Sequence, residues 1–163
     1  MPKFKMILAI FVTTLLLFTQ LASATNNATP IGIWKTMDDV TGKPKAIIQI
    51  SENQDHLLSG KIIQIFPKPG EDQNERCEAC PGVLQHHKIV GLTILNNLHA
   101  DMKHPRSWIG GSILDPMNGK IYQCNIQLVE NNQKLRVRGY LGLPLFGRSQ
   151  MWDRVTSPTQ KQS

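Results

Sequence analysis

An all-β chain, folded as an antiparallel up-and-down barrel of about eight strands, is what this sequence predicts. Two regularities carry the prediction. Apolar residues recur with period two from residue 32 to residue 155, and turn-forming clusters of Gly, Asn, Asp and Pro fall about every ten residues between them. An absence completes it: no stretch carries a long amphipathic helix. A meander of short strands leaves two exposed edges, and closing the sheet on itself removes both. A two-sheet sandwich is the alternative.

The strands follow in order. GIWKTMD (32–38) is the first, and DVTGKP turns it with Thr41-Gly42 at the bend. KAIIQIS (45–51) puts Ala46, Ile48 and Ile50 on one face; Asn53-Gln54-Asp55 then turns the chain into LLSGKIIQIF (57–66). A polar segment with Pro and Gly runs from Pro67 to about Lys88. It exceeds the roughly 12–15 residues usual for unstructured connections, so it is functional, cross-linked or both. IVGLTIL (89–95) reads as a strand, although Leu92, Leu95, Leu98 and Met102 also stand at the spacing of a short helix. SWIGGSILD (107–115) is a strand whose paired glycines imply a bulge or a close backbone approach. Asn118-Gly119 in DPMNGK suits positive φ and makes a hairpin turn. IYQCNIQLV (121–129) alternates Tyr122, Cys124, Ile126 and Leu128 on one side. KLRVRGYLG (134–142) and GRSQMWDRV (147–155) complete the barrel domain, 32–155; residues 25–31 form a flexible lead-in and 156–163 a disordered tail.

The N-terminus has its own pattern. Lys3 and Lys5 precede an apolar run from Met6 to Phe18, and Ala22-Ser23-Ala24 follows. A basic start, an apolar centre and small residues at the end describe a secretory signal peptide, 1–24, cleaved after Ala24. A membrane anchor would need about 20 consecutive apolar residues, and this run is shorter. No later stretch is long enough to span, so the mature chain is expected to be exported and not membrane-spanning, periplasmic if the source is Gram-negative. The 18 Lys and Arg against 12 Asp and Glu give a net charge of +6, of which the leader takes two. The positive residues are scattered without a dense or aromatic-interleaved run, which argues against nucleic acid as a partner.

Several stretches together resemble one bacterial family, the domain of unknown function 2147. They are Gly32-x-Trp34, TGKPKAIIQI, GKI at 60–62, Cys77-x-x-Cys80, IVGL at 89–92, WIGGSILDPMNGKIYQC (108–124), LRVRGYLG (135–142) and GRSQMWDRV. They occur in order across nearly the whole mature chain. The resemblance implies an exported protein with a lipocalin-like barrel and no established activity, and it supplies no catalytic residue. Lipocalin-type barrels begin with Gly-x-Trp and cover the Trp ring with a basic residue of the last strand. Trp34 and Arg154 stand at equivalent places, and a guanidinium over an indole contributes about 0.5–2 kcal/mol.

The cysteines admit three readings. A thioredoxin-type centre needs its first Cys at a helix N-terminus after a strand. ERCEACPG has no preceding strand, and Glu75 and Glu78 would raise a thiol pKa, Arg76 only partly offsetting them. A metal site would use Cys77, Cys80, His86 and His87, with Cys124 as a further sulfur. The favoured reading is a Cys77–Cys80 disulfide that pins one bend of the long loop, as expected of exported cysteines. Its small loop gives about 2 kcal/mol in the chain-entropy model. Cys124, alternating with apolar neighbours, is expected to be a free, buried and inert thiol.

No catalytic set is legible. His56, His99 and His104 fall in predicted turns or loops; Asp38, Asp39 and Asp115 fall at strand ends as turn formers. No nucleophile elbow, zinc-protease motif or phosphate loop is present, and no cofactor is implied. The last two strands offer a binding surface instead. Arg136, Arg138 and Tyr140 share one parity within their strand, and Arg148, Gln150, Trp152 and Arg154 share one within theirs. Trp34, Arg138, Tyr140, Arg148, Gln150, Trp152 and Arg154 are the candidate ligand-pocket residues, a cationic and aromatic lining for an anionic, partly apolar ligand. Against this, the arginines could pair with Asp38, Asp39 or Asp115 in a filled barrel. The arginines of 134–142 could also face solvent, because Leu135, Val137 and Leu141 make the opposite face apolar. The expectation is therefore an exported, non-catalytic barrel binding a small amphipathic or anionic ligand or an envelope lipid. The alternatives are a filled envelope interaction module docking on another protein, and a metal-binding protein.

Overall fold

The computed structural model describes residues 28–72 and 74–155. The predicted signal peptide with its cleavage site at Ala24, and the tail 156–163, lie outside the described residues. Eight strands form: β1 (Gly32–Met37), β2 (Pro44–Glu52), β3 (Leu58–Ile65), β4 (Thr93–Ala100), β5 (Ser107–Leu114), β6 (Ile121–Val129), β7 (Lys134–Tyr140) and β8 (Arg148–Val155). Each pairs antiparallel with the next, and β1 pairs with β8, so the sheet is a closed barrel. The closing seam holds three register pairs, Ile33 with Val155, Trp34 with Arg154 and Lys35 with Asp153.

Up-and-down order sorts the connections. The β1–β2, β3–β4, β5–β6 and β7–β8 segments share one end, the mouth. The other three turns and residues 28–31 share the base. Alternation decides what faces inward: Ala46, Ile48 and Ile50 on β2, Cys124, Ile126 and Leu128 on β6, and Leu135 and Val137 on β7 are all buried. Burial of the Ile, Leu and Val side chains among these contributes about 1.5–3 kcal/mol each, and the alternation ties the register of these strands to the interior. Packing is tight on one side: a Cβ at Gly60 would lie 2.9 Å from Leu95, and one at Gly111 would lie 2.5 Å from Leu98.

The fourth strand departs from expectation. It runs Thr93–Ala100, neither 89–95 nor a helix. Gly91 at φ +106° turns the chain first, and this turn is bonded to Ile62 of β3 in both directions. The helix-like spacing of Leu95 and Leu98 has another cause. Asn97 at φ +58° marks a bulge, so these residues, three apart, oppose Gly60 and Leu58, two apart. Met102 lies beyond the strand, exposed in the β4–β5 turn. His99, expected in a turn, sits on β4 opposite Ile109.

The turns follow their sequence chemistry. Asp38 Oδ1 accepts from the N–H groups of Val40 and Thr41 and from the Thr41 hydroxyl. These bonds, led by the Thr41 N–H, hold the Asp38 carboxyl below its ordinary pKa. Asp115 Oδ1 accepts from the Met117 N–H, and Gly119 supplies the positive φ, +69°. No helix among the described residues is long and apolar enough to cross a membrane.

Candidate functional site

The base is a lock. The Trp34 indole is fully buried and donates from Nε1 to the Pro30 carbonyl at 2.7 Å. Arg154 Cζ lies 4.3 Å from the centroid of that ring. Its guanidinium donates to the carbonyls of Asn132 (2.7 Å), Ile31 (3.2 Å) and Thr29 (2.7 Å). Burial lowers its pKa. Gly32 explains the Gly-x-Trp spacing: its φ is +136°, and a Cβ there would lie 3.2 Å from Arg154 Nη1. Within the 25–31 lead-in, residues 29–31 are thus fastened to both aromatic and cation.

The mouth holds a different cluster on the same inward parity of β8. Trp152 is buried against Leu135, its register partner on β7. Trp152 Nε1 donates to Gln150 Oε1 at 3.3 Å, and Gln150 Nε2 donates to Asp39 Oδ2 at 2.7 Å. Arg148 Nη2 pairs with the same Asp39 oxygen. Asp39 therefore fastens the β1–β2 turn to the start of β8. Arg148 keeps 72% of its side chain exposed, so the ion pair adds little stability and leaves most of the guanidinium free to meet a ligand. Around this cluster small side chains, Thr36, Ala46 and Gly139, alternate with bulky apolar ones: Val137 opposes Gln150, Ile65 opposes Ala46, and Ile113 opposes Leu95 and Tyr122. Tyr122, on the inward parity of Cys124, is half-buried in the same upper layer.

The seven candidate pocket residues therefore divide into three groups. Trp34 and Arg154 belong to the base, and Arg148 and Gln150 to the mouth, with Trp152 beneath them at the level of Leu135. Arg138 and Tyr140 pair with Asn125 and Gln123, which alternate with the buried Cys124 and Ile126, so both lie on the outer face. The physical reason is the one the apolar alternation offers, since Leu135 and Val137 claim the interior. Outside β5–β7 there is a shallow depression of about 270 Å³, lined by Asp101, His104, Asn125, Arg136 and Arg138 among others. It is smaller than the roughly 300–1,000 Å³ of most ligand sites. In its wall the Asp101 carboxyl is held below its ordinary pKa by the Lys103 N–H and then by His104.

Cys77 and Cys80 form a disulfide, with Cα atoms 5.4 Å apart. Backbone bonds tie together the described residues of the long connection around them. Cys77 N–H donates to His87 O, His86 N–H to Cys77 O, and Ile89 N–H to Glu75 O, so its two limbs pair with each other. The bend rests on the β5–β6 turn: Cys77 Sγ lies 3.2 Å from Pro116 O, and a Cβ on Gly119 would overlap the Ala79 carbonyl. With both sulfurs oxidised, the Cys77, Cys80, His86 and His87 set has no thiolate to offer a metal; His86 Nδ1 instead meets Glu78 at 2.7 Å. No group of three or more His, Cys, Asp or Glu suited to a metal occurs among the described residues. Cys124 is a free buried thiol, its pKa pushed up to about 12 by burial.

A closed eight-stranded antiparallel barrel, locked at the base by an arginine over a tryptophan, is a lipocalin-like barrel. A solved structure described as "Protein HP1028 from the human pathogen Helicobacter pylori belongs to the lipocalin family" is similar in fold, at a TM-score of 0.65 and 20% identity. The match covers 77% of this chain and 82% of that one. By sequence the chain belongs to the family described as "Uncharacterized protein conserved in bacteria (DUF2147)", whose model matches residues 32–154. No curated protein matches it.

Proposed function

We propose that this protein is exported, losing residues 1–24, and that its barrel mouth binds a small amphipathic or anionic ligand without catalysing a reaction on it. The observation that carries this reading is the change of lining from base to mouth. Trp34, Leu128 and Leu135 fill the base with apolar groups alone, while the mouth adds the polar Trp152–Gln150–Asp39–Arg148 chain and the small Thr36, Ala46 and Gly139 among its apolar residues. Arg148 supplies the charge for an anionic head and Gln150 an orienting amide, with Trp152 and Tyr122 as the apolar floor. A packed lower interior restricts the ligand to a shallow seat.

Titration of the protein with an anionic fluorescent fatty acid tests this. Saturable binding, lost in Arg148→Ala/Gln150→Ala while the urea midpoint is unchanged, is the expected result. Binding untouched by that pair, or absent at all concentrations, overturns the pocket. Native mass spectrometry of the exported protein checks the processed mass and any co-purifying compound. The close contacts of Gly60 with Leu95 and Gly111 with Leu98 favour a second reading, a filled barrel serving as an envelope interaction module. It predicts no bound small molecule.

A further inference from the structure

Lys134, Arg136 and Arg138 follow one another along the outer face of β7. The fold supplies counter-charges to the first alone: Lys134 Nζ lies 3.6 Å from Glu130 and 3.9 Å from Asp153. Arg136 and Arg138 make no ion pair among the described residues. Neighbouring like charges repel, and both of these line the outer depression of about 270 Å³. The one carboxylate in its lining, Asp101, is 11% exposed and engaged elsewhere. Its Oδ1 accepts from the Lys103 N–H at 2.8 Å, and its Oδ2 meets His104 Nδ1 at 2.7 Å. Two guanidinium groups against one carboxylate leave the depression positive.

The hydrogen bonds around the depression use up acceptors and leave donors. Arg138 donates through Nε to Pro144 O (2.8 Å), through Nη1 to Ser149 Oγ (2.9 Å) and through Nη2 to Leu145 O (3.2 Å). All three acceptors are neutral, so the guanidinium is fixed in place with its charge intact. Arg136 Nη1 donates to Gln127 Oε1 at 3.3 Å, which leaves Gln127 Nε2 and the rest of the Arg136 fork without partners among the described residues. Asn125 Oδ1 accepts from the Gly110 N–H and the Tyr140 hydroxyl, both at 3.4 Å, so Asn125 Nδ2 is likewise a free donor. An acceptor-rich anion is the complement of such a lining.

We propose that this outer face of β5–β7 is a second site, separate from the mouth, that takes a phosphate group. The depression has the size of a headgroup, below that of sites for larger organic ligands. Its free donors stand on both β6 and β7, with a guanidinium fork among them. A carboxylate offers two oxygens to one plane, whereas a phosphate monoester offers three in a pyramid and matches the fork as well. The bound anion would also relieve the repulsion between Arg136 and Arg138. The site stands whether or not the mouth holds a ligand of its own.

The test is a nitrogen–proton NMR titration of the full chain with inorganic phosphate and with glycerol 3-phosphate, at constant ionic strength, beside chloride and acetate. Either phosphate is expected to give saturable shifts at the amides of Asn125, Gln127 and Arg136 and at the Arg136 side-chain Nε–H. Tighter binding of glycerol 3-phosphate assigns the site to a phosphorylated small molecule, and equal binding assigns it to free phosphate. Arg136→Gln, an exposed change expected to leave the urea midpoint in place, should weaken binding at least about tenfold, the worth of one charge-assisted bond. Undiminished binding by that variant overturns the proposal. So does the absence of saturation by about 10 mM phosphate, well above the millimolar constant that a few such bonds supply. Equal shifts with acetate or chloride would mean that the face does not select phosphate, and would overturn it too. Shifts centred on Asp39 and Arg148 would place the anion at the mouth, overturning this site and leaving the mouth's own reading intact.

Discussion

Replacing Arg154 by Ala removes, in one step, the cation over Trp34 and the clasp on three backbone carbonyls. The magnitude follows from the geometry. The stacking at 4.3 Å contributes about 1 kcal/mol in a partly desolvated site. The bond to Asn132 O, partly buried, contributes about 1 kcal/mol net, and the two exposed bonds to Ile31 and Thr29 about 0.5 kcal/mol each. The expected loss is therefore about 3 kcal/mol, large against the 5–15 kcal/mol of a typical domain. Urea unfolding followed by tryptophan emission and far-ultraviolet circular dichroism measures it. Arg154→Lys keeps the charge and the stem but not the planar fork, and should recover about half the loss. A double-mutant cycle with Trp34→Phe isolates the ring term. If Arg154→Ala unfolds within about 0.5 kcal/mol of the parent, the range of an ordinary surface substitution, the base is not locked by this residue and the reasoning fails.

Other outcomes follow from the same contacts. Cys77→Ser with Cys80→Ser should cost about 2 kcal/mol at most and expose the 75–89 limbs to limited proteolysis; resistance equal to the parent's would show that the limb pairing alone holds the bend. Gly111→Ala puts a Cβ 2.5 Å from Leu98 and 2.6 Å from Asn96 O, so a loss of about 1–3 kcal/mol is expected in the same urea assay. Cys124 should resist iodoacetamide at pH 8 until the protein unfolds. Its raised folded pKa, about 12, means its contribution is intact below the ordinary thiol value and declines by about 1.4 kcal/mol per pH unit above it. Asp38 works in the opposite sense: its folded pKa is lowered, so its contribution is present above the ordinary carboxylate value and is lost as pH falls through the folded one. Asp38→Asn should flatten that acid limb of stability against pH.

Period-two alternation made seven of the strands legible, because on a half-buried sheet the same residues that prefer extended backbone also mark the inner face. It misplaced the fourth because the turn at Gly91 holds apolar residues that read as strand, and because a bulge then changes the count. Asn97 inserts one residue, and Leu95 and Leu98 then mimic a helical stripe. The pairing of the two limbs of the β3–β4 connection was hidden for a different reason. It rests on backbone bonds such as Cys77 to His87, and backbone groups leave no mark on residue identity. At the candidate site, parity alone grouped Arg148, Gln150, Trp152 and Arg154 correctly on one face. Parity carries no depth, however, so it could not separate Arg154 at the base from Arg148 at the mouth. Arg138 is ambiguous by parity alone, and the burial of Leu135 and Val137 places it on the outer face.

The seam between β1 and β8 has a consequence for how the molecule comes to exist. Every other strand pair joins neighbours in sequence and can form while the chain is still incomplete. The seam cannot, since Arg154 must reach Thr29, 125 residues away. Closure is then the step of highest contact order and the slowest to nucleate. Until it occurs, the first and last strands are both bare edges, able to pair with the complementary edge of another copy. A chain halted before its final strand would remain an open ribbon, so the interval between synthesis of β7 and completion of β8 is when this protein is most exposed to strand exchange.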